Sequence, residues 1–265
     1  MSLRDKIRPI NGKHSIREAV ISLFLANPIL KPSRFEKLIQ AEYAHVFQKF
    51  GVVSQLQVQF QRNDDGRDAT NITNQAEAGF KFSAFESGKP KRVLQGINEA
   101  GRTFVSYHEL GYERWALFYS DYKDQVRALG NIQADIFINA FSLHYIDEFL
   151  WIDKEGGIDL SLFFKKNQKL PLDFFDSINP IFSLVAEKEI NGVVYYDRLE
   201  IQVRSDIQPS VVISHNVTEA LQKEVQLSDL FRTDFESKLA DMHEYNKKLL
   251  KDLLTEEIQQ LIELV

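Results

Sequence analysis

The chain has 265 residues, 44% of them hydrophobic and 26% charged, with 20 Phe, no Cys and a net charge of −6 at pH 7. A chain of this length can bury roughly three quarters of its unfolded surface and needs no covalent staples. The lack of Cys excludes disulfides, thiolate chemistry and Cys-ligated zinc or iron–sulfur sites. The acidic balance argues against a nucleic-acid partner, which a basic field would advertise.

The N-terminal stretch has no apolar signal region, and no segment approaches the about 18 consecutive apolar residues of a membrane span. A cytoplasmic protein that stays out of the membrane is therefore expected. Residues 15–25, "SIREAVISLFL", read as a strand with two mostly apolar faces, the pattern of a central strand covered on both sides. One face carries Ile16, Glu18, Val20, Ser22 and Phe24; the other carries Arg17, Ala19, Ile21, Leu23 and Leu25. "SRFE", Ser33 to Glu36, reads as a capping box. Apolar residues at helical spacing then predict a helix over 34–50 that stops at Gly51.

Residues 52–61 alternate as a half-buried strand, and 62–75 reads as a polar loop. Three short strands near 77–86, 91–97 and 102–107, separated by "ESGKPK" and "NEAG", predict an antiparallel meander. A helix over 111–129, ended by Gly130, and a long strand over 132–152 follow. Short helices are expected between 158 and 180, then strands near 181–189, 193–204 and 210–218. A long helix from about 228 to 254 closes the chain, and Thr255 caps a final short one. The sum is an α+β protein: an extensive, mostly antiparallel sheet with helices packed on it and a long C-terminal helix. It reads as a single domain over 1–265, with two closely packed halves, about 1–155 and 156–265, as the alternative division.

Four stretches carry a resemblance. They are the opening strand with Glu18, "GRTFVSYHELGYERWALF" with Tyr112 and Trp115, "FSLHYID" with His144 and Asp147, and the closing "MHEYNKKLLKDLLTEEIQQLI" with His243 and Thr255. Together the chain resembles a sporadically distributed, uncharacterised prokaryotic family of conserved hypothetical proteins. The family usually has Arg at the position of His144 and Asn at that of Asp147. The resemblance implies no reaction and no cofactor. It implies an association with mobile or defence gene neighbourhoods, and it makes Tyr112 and Trp115 the candidate ligand-binding residues.

The candidate catalytic residues are Glu18 and His144. By alternation, His144 shares a strand face with Ile136, Ile138, Ala140 and Ile146, and Asp147, three residues on, points the other way. An imidazole there can act as a general base; the ordinary reading is a histidine satisfied by a neighbouring strand. Glu18 on an apolar face can be an acid, a base or a ligand anchor. Its ordinary reading is an ion pair with Arg92 or Arg102. Asp64, Asp65 and Asp68 lack the spacing of a calcium loop and read as a solvated turn. No metal site is expected. Lys89, Lys91 and Arg92 form only a short basic turn. P-loop, GxGxxG, HExxH and GxSxG signatures are absent.

The C-terminal stripe of Phe231, Phe235, Leu239, Met242, Leu249 and Leu253 reads as core packing, with a partner or homodimer interface as the alternative. The sequence thus points to a non-catalytic interaction or accessory protein. The alternative is a hydrolase or small-ligand-binding enzyme with its site near Glu18 and His144.

Overall fold

The computed structural model describes residues 2–62, 68–132, 135–153, 156–167, 169–205 and 207–264. After a 3-10 turn at Leu3–Asp5, the chain forms β1 (Ile7–Pro9), β2 (Ile16–Leu25) and α1 (Pro32–Tyr43). A four-strand meander follows, β3 (Lys49–Arg62), β4 (Asp68–Glu86), β5 (Lys89–Glu99) and β6 (Arg102–Glu109), and then α2 (Trp115–Ile132). A similar order recurs with β7 (Phe137–Trp151), the short α3 (Leu160–Phe163) and α4 (Leu172–Asp176), and a three-strand meander of β8 (Ile181–Ile190), β9 (Val193–Arg204) and β10 (Ser210–Gln226). The chain closes with α5 (Leu227–Leu230), α6 (Phe235–Leu253) and α7 (Glu256–Leu261).

Among the described residues, all ten strands join one antiparallel sheet in the order β3-β4-β5-β6-β2-β7-β10-β9-β8, with β1 pairing along β7 beyond the end of β2. The centre is the β2–β7 pair. Each meander ends by returning its last strand, β6 or β10, to the free side of the strand that opened it. The meanders turn tightly at Ser87-Gly88 and Asn191-Gly192, where both residues are left-handed. That backbone matches the twist of the flanking strands.

The helices cover one face. There Ala19, Ile21 and Leu23 of β2 and Phe141, Leu143 and Tyr145 of β7 meet Phe118 and Tyr122 of α2 and Phe235, Leu239 and Met242 of α6. A second cluster gathers Phe149, Ile201 and Ile213 of the sheet with Phe163, Leu253 and Ile258. The alternate residues of β2, Glu18, Val20, Ser22 and Phe24, belong to neither cluster and point to the helix-free face. Among the described residues, no helix is long and apolar enough to cross a membrane.

Several sequence expectations need correction. The helix predicted over 34–50 is α1, Pro32–Tyr43; Phe47 and Phe50 instead pack on Phe82, and Gly51 lies inside β3. Aromatic residues at helical spacing served a loop and a strand. The predicted capping box is not formed: Lys31 occupies the cap, Pro32 starts the helix, and Ser33 donates to Glu77 at 2.9 Å. Much of the predicted loop 62–75 is strand, since β4 begins at Asp68; Asp64 and Asp65 lie outside the described residues. Gly130 sits within α2, which begins at Trp115. The expected 228–254 helix is divided into α5 and α6.

Ile136 and Ile138 do not share the face of His144. The β2–β7 register shifts between Phe24↔Ala140 and Leu25↔Ile138, and such a bulge turns the residues before it to the opposite face, here into the helix-side core. The C-terminal stripe is not a free surface either. Phe235, Leu239, Met242, Leu249 and Leu253 are buried against the sheet and the neighbouring helices, so the interface suggested for this helix lacks its apolar side chains.

Candidate functional site

On the helix-free face the strand register sets side chains in rows that cross the sheet. One row runs Val93, His108, Val20, His144, Asn216, Arg198. The next, two residues along each strand, runs Gln95, Ser106, Ser22, Ser142, Thr218, Tyr196. Over the middle lies a groove of about 450 Å³. Five adjacent strands each give it two side chains: Arg102 and Phe104 from β6, Ser22 and Phe24 from β2, Ser142 and His144 from β7, Ser214 and Asn216 from β10, and Arg198 and Glu200 from β9. Phe24 and Phe104 face each other with ring centroids 6.3 Å apart, and the Arg102 guanidinium lies over Phe104. One end of the groove is therefore aromatic and the rest polar.

Two imidazoles flank Val20. His108 Nδ1 is 2.6 Å from Glu18 Oε1, while its Nε2 meets the Ser106 hydroxyl at 2.8 Å and the Gln95 amide nitrogen at 3.1 Å. The amide nitrogen can only donate, so Nε2 accepts and the ring proton sits on Nδ1, directed at Glu18. That hydrogen bond, against the opposing effect of burial, holds the Glu18 carboxyl below its usual range. Glu18 therefore pairs with His108, and the expected partners are engaged elsewhere: Arg92 with Glu109 and Asp121, Arg102 with Glu99. His144 Nε2 is 2.8 Å from the Ser214 hydroxyl. Burial pushes the His144 imidazole down to about 4, with the Glu18 charge pulling the other way. It is neutral at pH 7.

The candidates from sequence thus divide between the two faces. Glu18 and His144 share the open face; the cross-strand partner of His144 is Val20, two residues from Glu18. Asp147 points to the helix side, where Ser15 donates to it at 2.6 Å. Tyr112 and Trp115 are also on the helix side. The Tyr112 and Tyr145 hydroxyls are hydrogen-bonded, the Tyr145 hydroxyl is 2.9 Å from His243 Nδ1, and His243 stacks on Trp115. This is a seam between α2, α6 and β7, with no link to the groove. Of the basic turn, Lys91 pairs with Glu86 and Arg92 with its two carboxylates.

Sequence reasoning missed His108, Ser214, Asn216 and Arg198 as site residues. The signal for His108 was present, because Ser106 and His108 alternate with Val105 and Tyr107, the pattern of a half-covered strand. Nothing in the sequence says that β10 and β9 lie beside β7. A second constellation, Asp197 with His215, Lys188 and Tyr245 at 2.6–2.8 Å, is on the helix side. Burial works to raise the Asp197 carboxyl, but those donors hold it well below its usual range. It ties β8, β9 and β10 to α6. A smaller cavity of about 260 Å³, lined by Leu25, Pro28, Ile29, Val105 and Ile136 among others, offers little chemistry. Among the described residues, no group of three or more His, Asp or Glu could hold a metal ion. The chain matches no family model, no curated protein and no solved structure.

Proposed function

We propose that the protein acts by binding a small polar ligand in the groove on the helix-free face of its sheet. The observation that carries this reading is the convergence of ten side chains from five adjacent strands on one concavity of about 450 Å³. Small-molecule sites commonly span about 300–1,000 Å³ and combine apolar walls with a few placed polar groups. Here Phe24 and Phe104 offer the apolar wall, and Ser22, Ser142, Ser214 and Asn216 offer hydroxyl and amide contacts. Arg198, paired only loosely with Glu200 at 3.2 Å, supplies a cation for an anionic substituent. This follows the small-ligand alternative raised for Glu18 and His144 rather than the interaction or accessory reading attached to the C-terminal helix.

The test is calorimetry of the whole protein with a panel of sugars, sugar phosphates, amino acids and nucleosides, repeated on Arg198→Ala and Phe104→Ala. A ligand of this groove should lose roughly tenfold or more in affinity in each variant, the scale of a charge-assisted hydrogen bond. Binding that is unchanged in both would move the site elsewhere.

A further inference from the structure

We propose that Ser214 and His144 are a nucleophile and general base that cleave carboxylic esters of small polar molecules bound in the groove, an inference that rests on the groove being the ligand site. The Ser214 hydroxyl and His144 Nε2 are 2.8 Å apart, within proton-transfer reach, and both side chains line the groove. The other serine–histidine contact on this face, Ser106 with His108, is equally short. It is the poorer candidate, because Ser106 is 2% exposed and His108 Nε2 is shared with the Gln95 amide.

The surroundings of Ser214 supply what such a pair needs. Asn216, two residues along β10, faces the groove directly across from His144, and Arg198 is directly across from Asn216. Mid-strand backbone amides are committed to the ladder, so donors for a developing oxyanion have to be side chains, and these two offer an amide and a guanidinium. Glu18, on the same face and two residues from the cross-strand partner of His144, favours the imidazolium formed as the proton arrives. Phe24 and Phe104 give the ester an apolar flank.

In the reaction, Ser214 Oγ attacks the ester carbonyl carbon while its proton passes to His144 Nε2. The tetrahedral intermediate collapses, the bond to the leaving oxygen breaks, and that oxygen takes the proton from Nε2. Water then adds to the acyl-serine with His144 again accepting a proton. Collapse returns the proton to Ser214 Oγ and releases the acid, so the net reaction is ester plus water to acid plus alcohol.

The experiment treats the whole protein with a fluorophosphonate, whose fluoride is displaced by an activated serine oxygen, and maps the adduct by peptide mass spectrometry. Labelling is expected at Ser214 and should vanish in Ser214→Ala. It should slow roughly 100-fold or more in both His144→Gln and His144→Asn, the usual worth of a general base, and persist in Ser106→Ala. No adduct at Ser214 when a control serine hydrolase labels fully, an adduct at Ser106 instead, or labelling indifferent to both His144 variants would each overturn the proposal. Groove binding measured by calorimetry separates the two readings: ligand bound without labelling removes the chemistry and leaves the binding site.

Discussion

His243 lies flat on Trp115, ring centroids 4.7 Å apart and planes 7° from parallel, while its Nδ1 is hydrogen-bonded to the Tyr145 hydroxyl. The imidazole is thereby fixed between α6, α2 and the central strand β7. Burial lowers its pKa from 6.5 to about 4. The unfolded chain then binds a proton that the folded chain refuses. The contribution to stability is complete above about 6.5 and is lost as the pH falls through about 4. An NMR titration of the His243 ring should show a midpoint near 4; a midpoint near 6.5 would mean the seam is open to water.

The Glu18–His108 pair gives a carboxylate with the usual acid dependence. Its folded pKa lies below the ordinary 4.5, so the pair stabilises the fold above that pH and ceases to as the pH falls through the lowered value. Glu18→Gln should cost roughly 1 kcal/mol at pH 7, the difference between a charge-assisted and a neutral hydrogen bond. Chemical unfolding at pH 7 and pH 3 checks this, and the penalty should shrink at the lower pH. A constant penalty would point to packing rather than charge.

Asp147 predicts the opposite slope. Burial raises its pKa from 3.8 to about 6, with the Ser15 hydroxyl bond working against it. A folded chain that holds this proton longer than the unfolded chain gains stability below about 3.8 and loses it as the pH rises to about 6. At about 1.4 kcal/mol per unit, the loss is roughly 3 kcal/mol. Asp147→Asn, which does not titrate, should therefore gain on wild type between pH 4 and 6 and hold that gain above pH 6. Unfolding curves across this range would refute the argument if the two proteins stayed parallel.

Two glycines make a matched pair. A Cβ at Gly79 would overlap the Gly96 carbonyl across the β4–β5 ladder, whereas a Cβ at Gly51 would meet open space. Gly79→Ala should cost roughly 3 kcal/mol, because backbone has to move. Gly51→Ala should stay within about 0.5 kcal/mol of wild type. Melting temperatures of the two variants measure the contrast directly.

The elements that sequence reasoning placed well are those in which local pattern and tertiary role coincide. From Glu18 on, β2 alternates as predicted and its apolar half, Ala19, Ile21, Leu23 and Leu25, entered the core. Ile16, predicted on the Glu18 face, lies opposite Asp147 and packs on the helix side, because the register shifts between Ile16 and Glu18. Thr255 caps α7 by accepting from the Ile258 amide. The failures have physical causes. Phe47 and Phe50 kept a helical spacing while packing from a loop and a strand onto Phe82. Ile138 changed face at a bulge that leaves no mark in composition. The groove was legible only in fragments: His144 stood out as a polar residue on an apolar strand, as did Glu18 on the same face outside the groove, but Ser214, Asn216 and Arg198 join His144 only through strand pairings between distant parts of the chain.

The central β2–β7 seam also governs how the protein reaches this state. Ser15 and Asp147, joined at its edge, are 132 residues apart in sequence, while each meander is built from neighbours linked by short turns. Closing so long a loop carries an entropic cost that local hairpins avoid. The two meanders are therefore expected to form early and the seam late. Until β2 meets β7, each half exposes an unpaired central strand rich in Ile, Leu and Phe, so refolding yield should fall as protein concentration rises.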